Sequence, residues 1–151
     1  MSRPLNIIVC AAASLILAAP AWAAAYEAEL DPVPFAEVNR ADVIDSIGDI
    51  TATLEGNTLT VHGSFSNLTS AASGGSFRIG LAKGVPGDAI GSLTVTHARQ
   101  GEVTGSIKLS AAQKAALENQ SLYIRIDSEK APDGNLQGWL EAPAAHTPGN
   151  S

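Results

Sequence analysis

The sequence is poor in the residue types that most often carry chemistry or cross-links. Its 151 residues include one cysteine, Cys10, and three histidines, His62, His97 and His146. A single cysteine excludes an internal disulfide, so any fold must be held by its hydrophobic core. A zinc or copper site needs converging His, Cys or carboxylate ligands, commonly paired as His-x-His along a strand. No two histidines are so spaced: His62 falls on the polar side of a strand pattern, His97 at a strand end and His146 in the C-terminal tail. They read as solvated surface histidines. Asp31, Asp42, Asp45 and Asp49 gather near the first strand without the Asp-x-Asp-x-Asp-Gly order of a calcium loop, and read as a solvated acidic group. No metal and no cofactor is expected.

Positive charge is also scarce. Nine Lys and Arg stand against 15 Asp and Glu, a net charge of −6. That balance argues against a nucleic-acid partner, which requires a basic face, and against anionic membrane surfaces. The chain lacks a nucleophile elbow, a phosphate-binding glycine loop and paired catalytic carboxylates. Ser73-Gly74-Gly75-Ser76 has no following helix with a lysine, so flexibility accounts for it. An enzyme is therefore not expected. Asn67-Leu68-Thr69 and Asn119-Gln120-Ser121 match the glycosylation triplet, a pattern that arises easily in a chain rich in Ser and Thr.

What is present begins with an export signal. Arg3 precedes a mostly apolar run from Leu5 to Ala19, then Pro20 and the small-x-small triplet Ala21-Trp22-Ala23. This order predicts a secretory signal peptide over residues 1–23, cleaved between Ala23 and Ala24. Pro20 interrupts the apolar run where a membrane span would need to continue, so no span is expected after cleavage. Cys10 follows Ile7-Ile8-Val9 in mid-run rather than at the cleavage site, which argues against lipidation. The expected location is periplasmic or secreted. Removing 23 of 151 residues leaves 128, enough to build a core, and loss of Arg3 takes the net charge from −6 to −7.

The remainder alternates apolar and polar residues in short runs. Tyr26, Ala28 and Leu30 alternate with Glu27 and Glu29, until Pro32 and Pro34 remove backbone donors. Residues 35–48 read as a short helix or a loop packed by its own apolar side chains. Ile50, Ala52 and Leu54, then Leu59, Val61 and Phe65, flank the turn Glu55-Gly56-Asn57 as a hairpin. Residues 66–75 read as a Ser/Gly-rich loop, Phe77–Leu81 as a strand, and Gly84–Asp88 as a turn. Leu93 and Val95, then Val103, Ile107 and Leu109, alternate with polar residues about Gln100-Gly101. Ser110-Ala111-Ala112-Gln113 is a capping-box pattern opening a helix near 111–118, with Asn119 as its stop. Tyr123–Ser128, the break Ala131-Pro132-Asp133-Gly134 and Gly134–Leu140 form a closing hairpin. The expected domain covers residues 24–141: all-β, an antiparallel Greek-key-like sandwich or barrel with one short helix. Residues 142–151 read as a disordered tail.

The closing hairpin resembles that of the CHRD domain family, the module named from the developmental regulator chordin. The family pattern is Tyr-Val-Asn-Ile-His-Thr, a Pro/Gly turn, then Gly-Glu-Ile-Arg-Gly-Gln-Leu. The likeness extends over about residues 26–140. It includes Gly56-Asn57-Thr58-Leu59-Thr60, Phe65-Ser66-Asn67-Leu68-Thr69-Ser70 and Leu109-Ser110-Ala111-Ala112-Gln113. Where many members have Ala-His-Ile-His, this chain has Phe77-Arg78-Ile79-Gly80. Asp127 stands in place of the family His, and Asn135 and Gln137 in place of the Glu and Arg. A metal or acid–base role borrowed from the family thus lacks its residues.

Tyr123, Arg125 and Asp127 lie two apart on one strand and share its outer face, with Gln137 opposite and Ile124 and Ile126 turned to the core. They form the candidate binding face, expected to be solvent-facing. The expected function is a non-enzymatic module that binds an extracellular protein or glycan, or acts as a structural spacer. The alternative is a metal-binding or superoxide-dismutase-like metalloprotein on the same scaffold.

Overall fold

The computed structural model describes residues 23–34 and 43–143. Residues 1–22, most of the segment expected to be a signal peptide, residues 35–42 including Asp42, and residues 144–151 including His146 lie outside the described residues. Eight strands and one helix follow in order: β1 (Ala23–Pro32), β2 (Ile47–Glu55), β3 (Thr58–Ser66), β4 (Ala72–Ile79), β5 (Asp88–Val95), β6 (Gly101–Lys108), α1 (Ala111–Glu118), β7 (Leu122–Ser128) and β8 (Leu136–Trp139). They close into a barrel in the order β1-β2-β3-β6-β5-β4-β7-β8, with every pairing antiparallel. The meander β4-β5-β6 is flanked by β3 on one side and β7 on the other, which makes two overlapping Greek keys.

The barrel has two four-stranded runs, β1-β2-β3-β6 and β5-β4-β7-β8, joined by two shorter pairings. At one seam β5 and β6 share two residue pairs, Thr94↔Thr104 and Val95↔Val103. At the other, β1 meets β8 through Asp31↔Gln137 and Pro32↔Leu136, with an isolated bridge at Glu27↔Glu141. Of the two expected architectures, sandwich or barrel, the structure is the closed barrel, and closure removes the sheet edges that invite aggregation.

The alternation read from the sequence is the facing observed. Leu59, Val61 and Phe65, then Val103 and Leu109, then Leu122, Ile124 and Ile126 are buried, and Ile107 packs against them half-buried. Each fully buried Leu or Ile contributes about 1.5–3 kcal/mol of transfer free energy, and the cluster joins both halves through Leu30, Phe77 and Leu136. The helix begins as expected: Ser110 Oγ accepts from the Gln113 amide at 3.2 Å, and Gln113 Oε1 accepts from the Ser110 amide at 2.9 Å. Its end differs slightly. Asn119 caps it at φ −84°, and the left-handed residue is Gln120 at φ +61°. The Gln120 and Ser121 amides donate back to the Leu117 and Ala116 carbonyls at 3.1 and 2.9 Å.

Three other expectations are corrected. The small residues 72–75 are not loop but the start of β4, which bulges between Ala72 and Gly74 and pairs with β7. Small side chains fit there because a Cβ on Gly75 would press on Val95 and Leu93. The second arm of the closing hairpin is shorter than Gly134–Leu140, since β8 starts at Leu136. Asn135, just before it, is fully buried. Its Nδ2 donates to Ser128 Oγ at 2.8 Å, and its Oδ1 lies 2.8 Å from Ser46 Oγ. In the 35–48 segment, Val43 is buried while Ile44 and Ile47 are exposed. No helix among the described residues is long and apolar enough to cross a membrane.

Candidate functional site

Tyr123, Arg125 and Asp127 do share the outer face of β7, and Gln137 lies directly across from Arg125. The register continues the row on both sides. Arg78 on β4 lies opposite Tyr123, Ser76 lies opposite Arg125, and Trp139 on β8 lies opposite Tyr123. Asp31 follows beyond Gln137 on β1.

This face is not the solvated surface expected of it. Tyr123 is buried, because the Gly80–Gly87 loop lies over it. The Tyr123 hydroxyl accepts from the Gly87 amide at 2.9 Å and donates to the Gly87 carbonyl at 3.1 Å. Arg78 Nε donates to that same carbonyl at 3.0 Å. The loop closes tightly on itself: a side chain on Gly87 would collide with the Ile79 carbonyl, and one on Gly80 with the Val85 carbonyl. Period-2 alternation assigns a residue to the outer face of a sheet, but it carries no information about a loop folding back onto that face.

Arg125 and Asp127 form an ion pair, Nε to Oδ1 at 2.8 Å, with side chains about one-fifth exposed. Neither atom has another polar partner among the described residues. Burial pushes the Asp127 carboxyl above its ordinary value against the opposing pull of Arg125 and Arg78, and Asp133 adds to the rise. Arg78 and Asp127, the replacements for family histidines, therefore belong to one cluster of charges. Gly80, the third such position, turns the chain into the covering loop.

Beside this covered face lies an open cleft of about 560 Å³ along the seam between β1 and β8. Three carboxylates on β1 line it, Glu27, Glu29 and Asp31, with Glu141 across from Glu27. Lys83, carried in by the covering loop, forms an ion pair with Glu141. The two strands approach closely, since a side chain on Gly138 would collide with the Glu29 carbonyl. Gln137 and Trp139 supply polar and aromatic surface in the same cleft. Trp139 stacks on Tyr123, with ring centroids 4.8 Å apart and planes at 27°. Its indole N–H is buried without an acceptor among the described residues.

Gln137 is only 7% exposed, yet its amide has no hydrogen-bond partner among the described residues. Its polar atoms open into the cleft, where they are available to a ligand. Of the four residues singled out from the sequence, Gln137 is the one that reaches the cleft.

A family model described as CHRD domain matches residues 27–140. The chain belongs to the CHRD domain family. No curated relative and no solved structure matches it. The match spans the barrel from the first cleft carboxylate on β1 to the end of the closing hairpin, so the cleft is built almost wholly from the CHRD domain itself.

The histidines of this CHRD domain stay apart. His62 is exposed on β3. His97 Nδ1 lies 2.8 Å from the Ala72 carbonyl, and its Nε2 is 3.4 Å from a Glu129 carboxylate oxygen, both side chains being largely exposed. Among the described residues no three His, Cys, Asp or Glu side chains are placed to hold one metal ion. Sequence reasoning missed the cleft because its walls come from opposite ends of the domain. The alternation of Glu27, Glu29 and Asp31 marked an exposed acidic face, but nothing in the linear pattern places that face against Gln137 and Trp139.

Proposed function

We propose that this CHRD domain is an exported, non-enzymatic recognition module that binds an extracellular or periplasmic protein or glycan through the β1–β8 cleft. The observation that carries the reading is the open amide of Gln137, without a partner among the described residues, beside Trp139 in a cleft of about 560 Å³. A cleft of that size, with an aromatic surface and a few directed polar groups, has the form of a ligand seat. Export rests on Arg3, the apolar run and Ala21-Trp22-Ala23. Cleavage after Ala23 would remove one residue of β1 and leave its pairing with β2 from Ala24 onward. Mass spectrometry of the exported protein is expected to find Ala24 at the N-terminus, and an intact residue 1–20 segment would refute the export reading.

The binding reading is tested with Gln137→Met, which keeps the side-chain volume and removes only the amide. Because that amide satisfies nothing within the fold, the variant should stay within about 1 kcal/mol of wild-type stability. Partner capture from periplasmic or culture extract should fall. Undiminished capture of the same partner by the variant would remove the cleft from consideration.

A further inference from the structure

We infer that the ligand of the β1–β8 cleft is cationic: an arginine-bearing segment of a partner protein, its guanidinium seated among Glu27, Glu29, Asp31 and Gln137. This rests on the cleft being the recognition site, and names the chemistry it selects.

The charges set the sign. Among the described residues four carboxylates, from Glu27, Glu29, Asp31 and Glu141, line the cleft, and the one cation among them, Lys83, is already paired with Glu141. Glu27, Glu29 and Asp31 occupy alternate positions on the outer face of β1, so neighbouring ones are spaced by roughly 7 Å along the strand. Like charges at that spacing repel, and a cation entering between them removes the repulsion while gaining attraction to several carboxylates at once.

The open amide narrows the choice. Gln137 Oε1 is an acceptor without a donor among the described residues, and it opens into the cleft. A guanidinium presents five N–H donors in a planar fork, enough to engage a carboxylate and the Gln137 oxygen together. Trp139 lines the same cleft, and arginine is the cation that most often packs against an indole. A polypeptide fits better than a small free cation because apolar surface adjoins the charge. Leu81 and Val85, which flank Lys83 and Gly84 on the covering loop, are 96% and 40% exposed. Side chains neighbouring the arginine have somewhere to pack.

The full chain carrying Trp22→Phe has Trp139 as its only tryptophan, so its emission reports on the cleft. It is titrated with an amidated Gly-Arg-Gly-Arg-Gly peptide and, separately, with a neutral chitin oligosaccharide. The peptide is expected to change Trp139 emission saturably. Binding should weaken about tenfold or more between low and high salt, as contacts to partly exposed carboxylates do. A Glu29→Gln/Asp31→Asn double variant should weaken it about tenfold as well, with an unaltered melting curve. Peptide binding that the double variant retains, or that leaves Trp139 emission unchanged, overturns the inference. An emission change with the oligosaccharide alone, insensitive to salt, also overturns it but keeps the cleft as a recognition site. No change with either ligand, together with undiminished partner capture by Gln137→Met, removes both.

Discussion

Tyr123 and Trp139 face each other across the β7–β8 pair and stack at 4.8 Å, with the Tyr123 hydroxyl clasping the Gly87 backbone on its far side. One aromatic residue thus joins the covering loop to a wall of the cleft. Lys83, which pairs with Glu141 at the cleft rim, is carried by the same loop. The position of the loop and the shape of the cleft are therefore mechanically linked.

Tyr123→Phe keeps the ring stack and removes only the clasp. The Gly87 amide loses its partner in a part-buried setting, which should destabilise the domain by about 1–2 kcal/mol. Hydrogen exchange at Gly87 should accelerate relative to the core strands. Unchanged protection at Gly87 would show that Arg78 alone holds the loop.

Asn135 links two buried hydroxyls from distant parts of the chain, Ser46 and Ser128. Asn135→Ala leaves both without this partner and opens a small void, so a loss of about 2–4 kcal/mol is expected in chemical denaturation. Asn135→Asp should do at least as much damage, because it adds a buried charge and takes away the donor to Ser128.

The raised value of Asp127 sets a direction in pH. Folding favours its protonated form, so its contribution to stability is fully present below the ordinary aspartate range and is lost as pH rises through the folded value. Asp127→Asn mimics the neutral form at every pH. Its melting temperature relative to wild type should therefore be highest at neutral pH and should drop as the solution is acidified toward pH ~4. A difference independent of pH would mean that Arg125 and Arg78 fully offset the burial.

Ile124 is completely buried on the inner face of β7, opposite Phe77 and Gly138. Ile124→Asp places an unpaired charge there and should abolish cooperative unfolding. A folded variant with an unshifted melt would refute the facing of β7.

The local geometry of this CHRD domain follows from short-range patterns in its chain. Period-2 alternation settled which side chains of β2, β3, β6 and β7 turn inward, since a pleated strand leaves no other choice once one face is buried. Ser110 and Gln113 settled where the helix starts, because their side chains answer backbone donors within three residues of themselves. What lies against the outer faces depends on closure of the barrel and on its loops. Closure of β1 onto β8 joins Asp31 to Gln137, a register set by the whole barrel rather than by either strand. The Gly80–Gly87 loop converts Tyr123 from a surface residue into a buried one through two hydrogen bonds to Gly87, 36 residues away. The same closure turns the Gln137 amide into the cleft without giving it a partner among the described residues. Alternation fixes the direction of a side chain relative to its own strand; burial on the outer face depends on distant segments, and neither propensity nor spacing encodes their arrival.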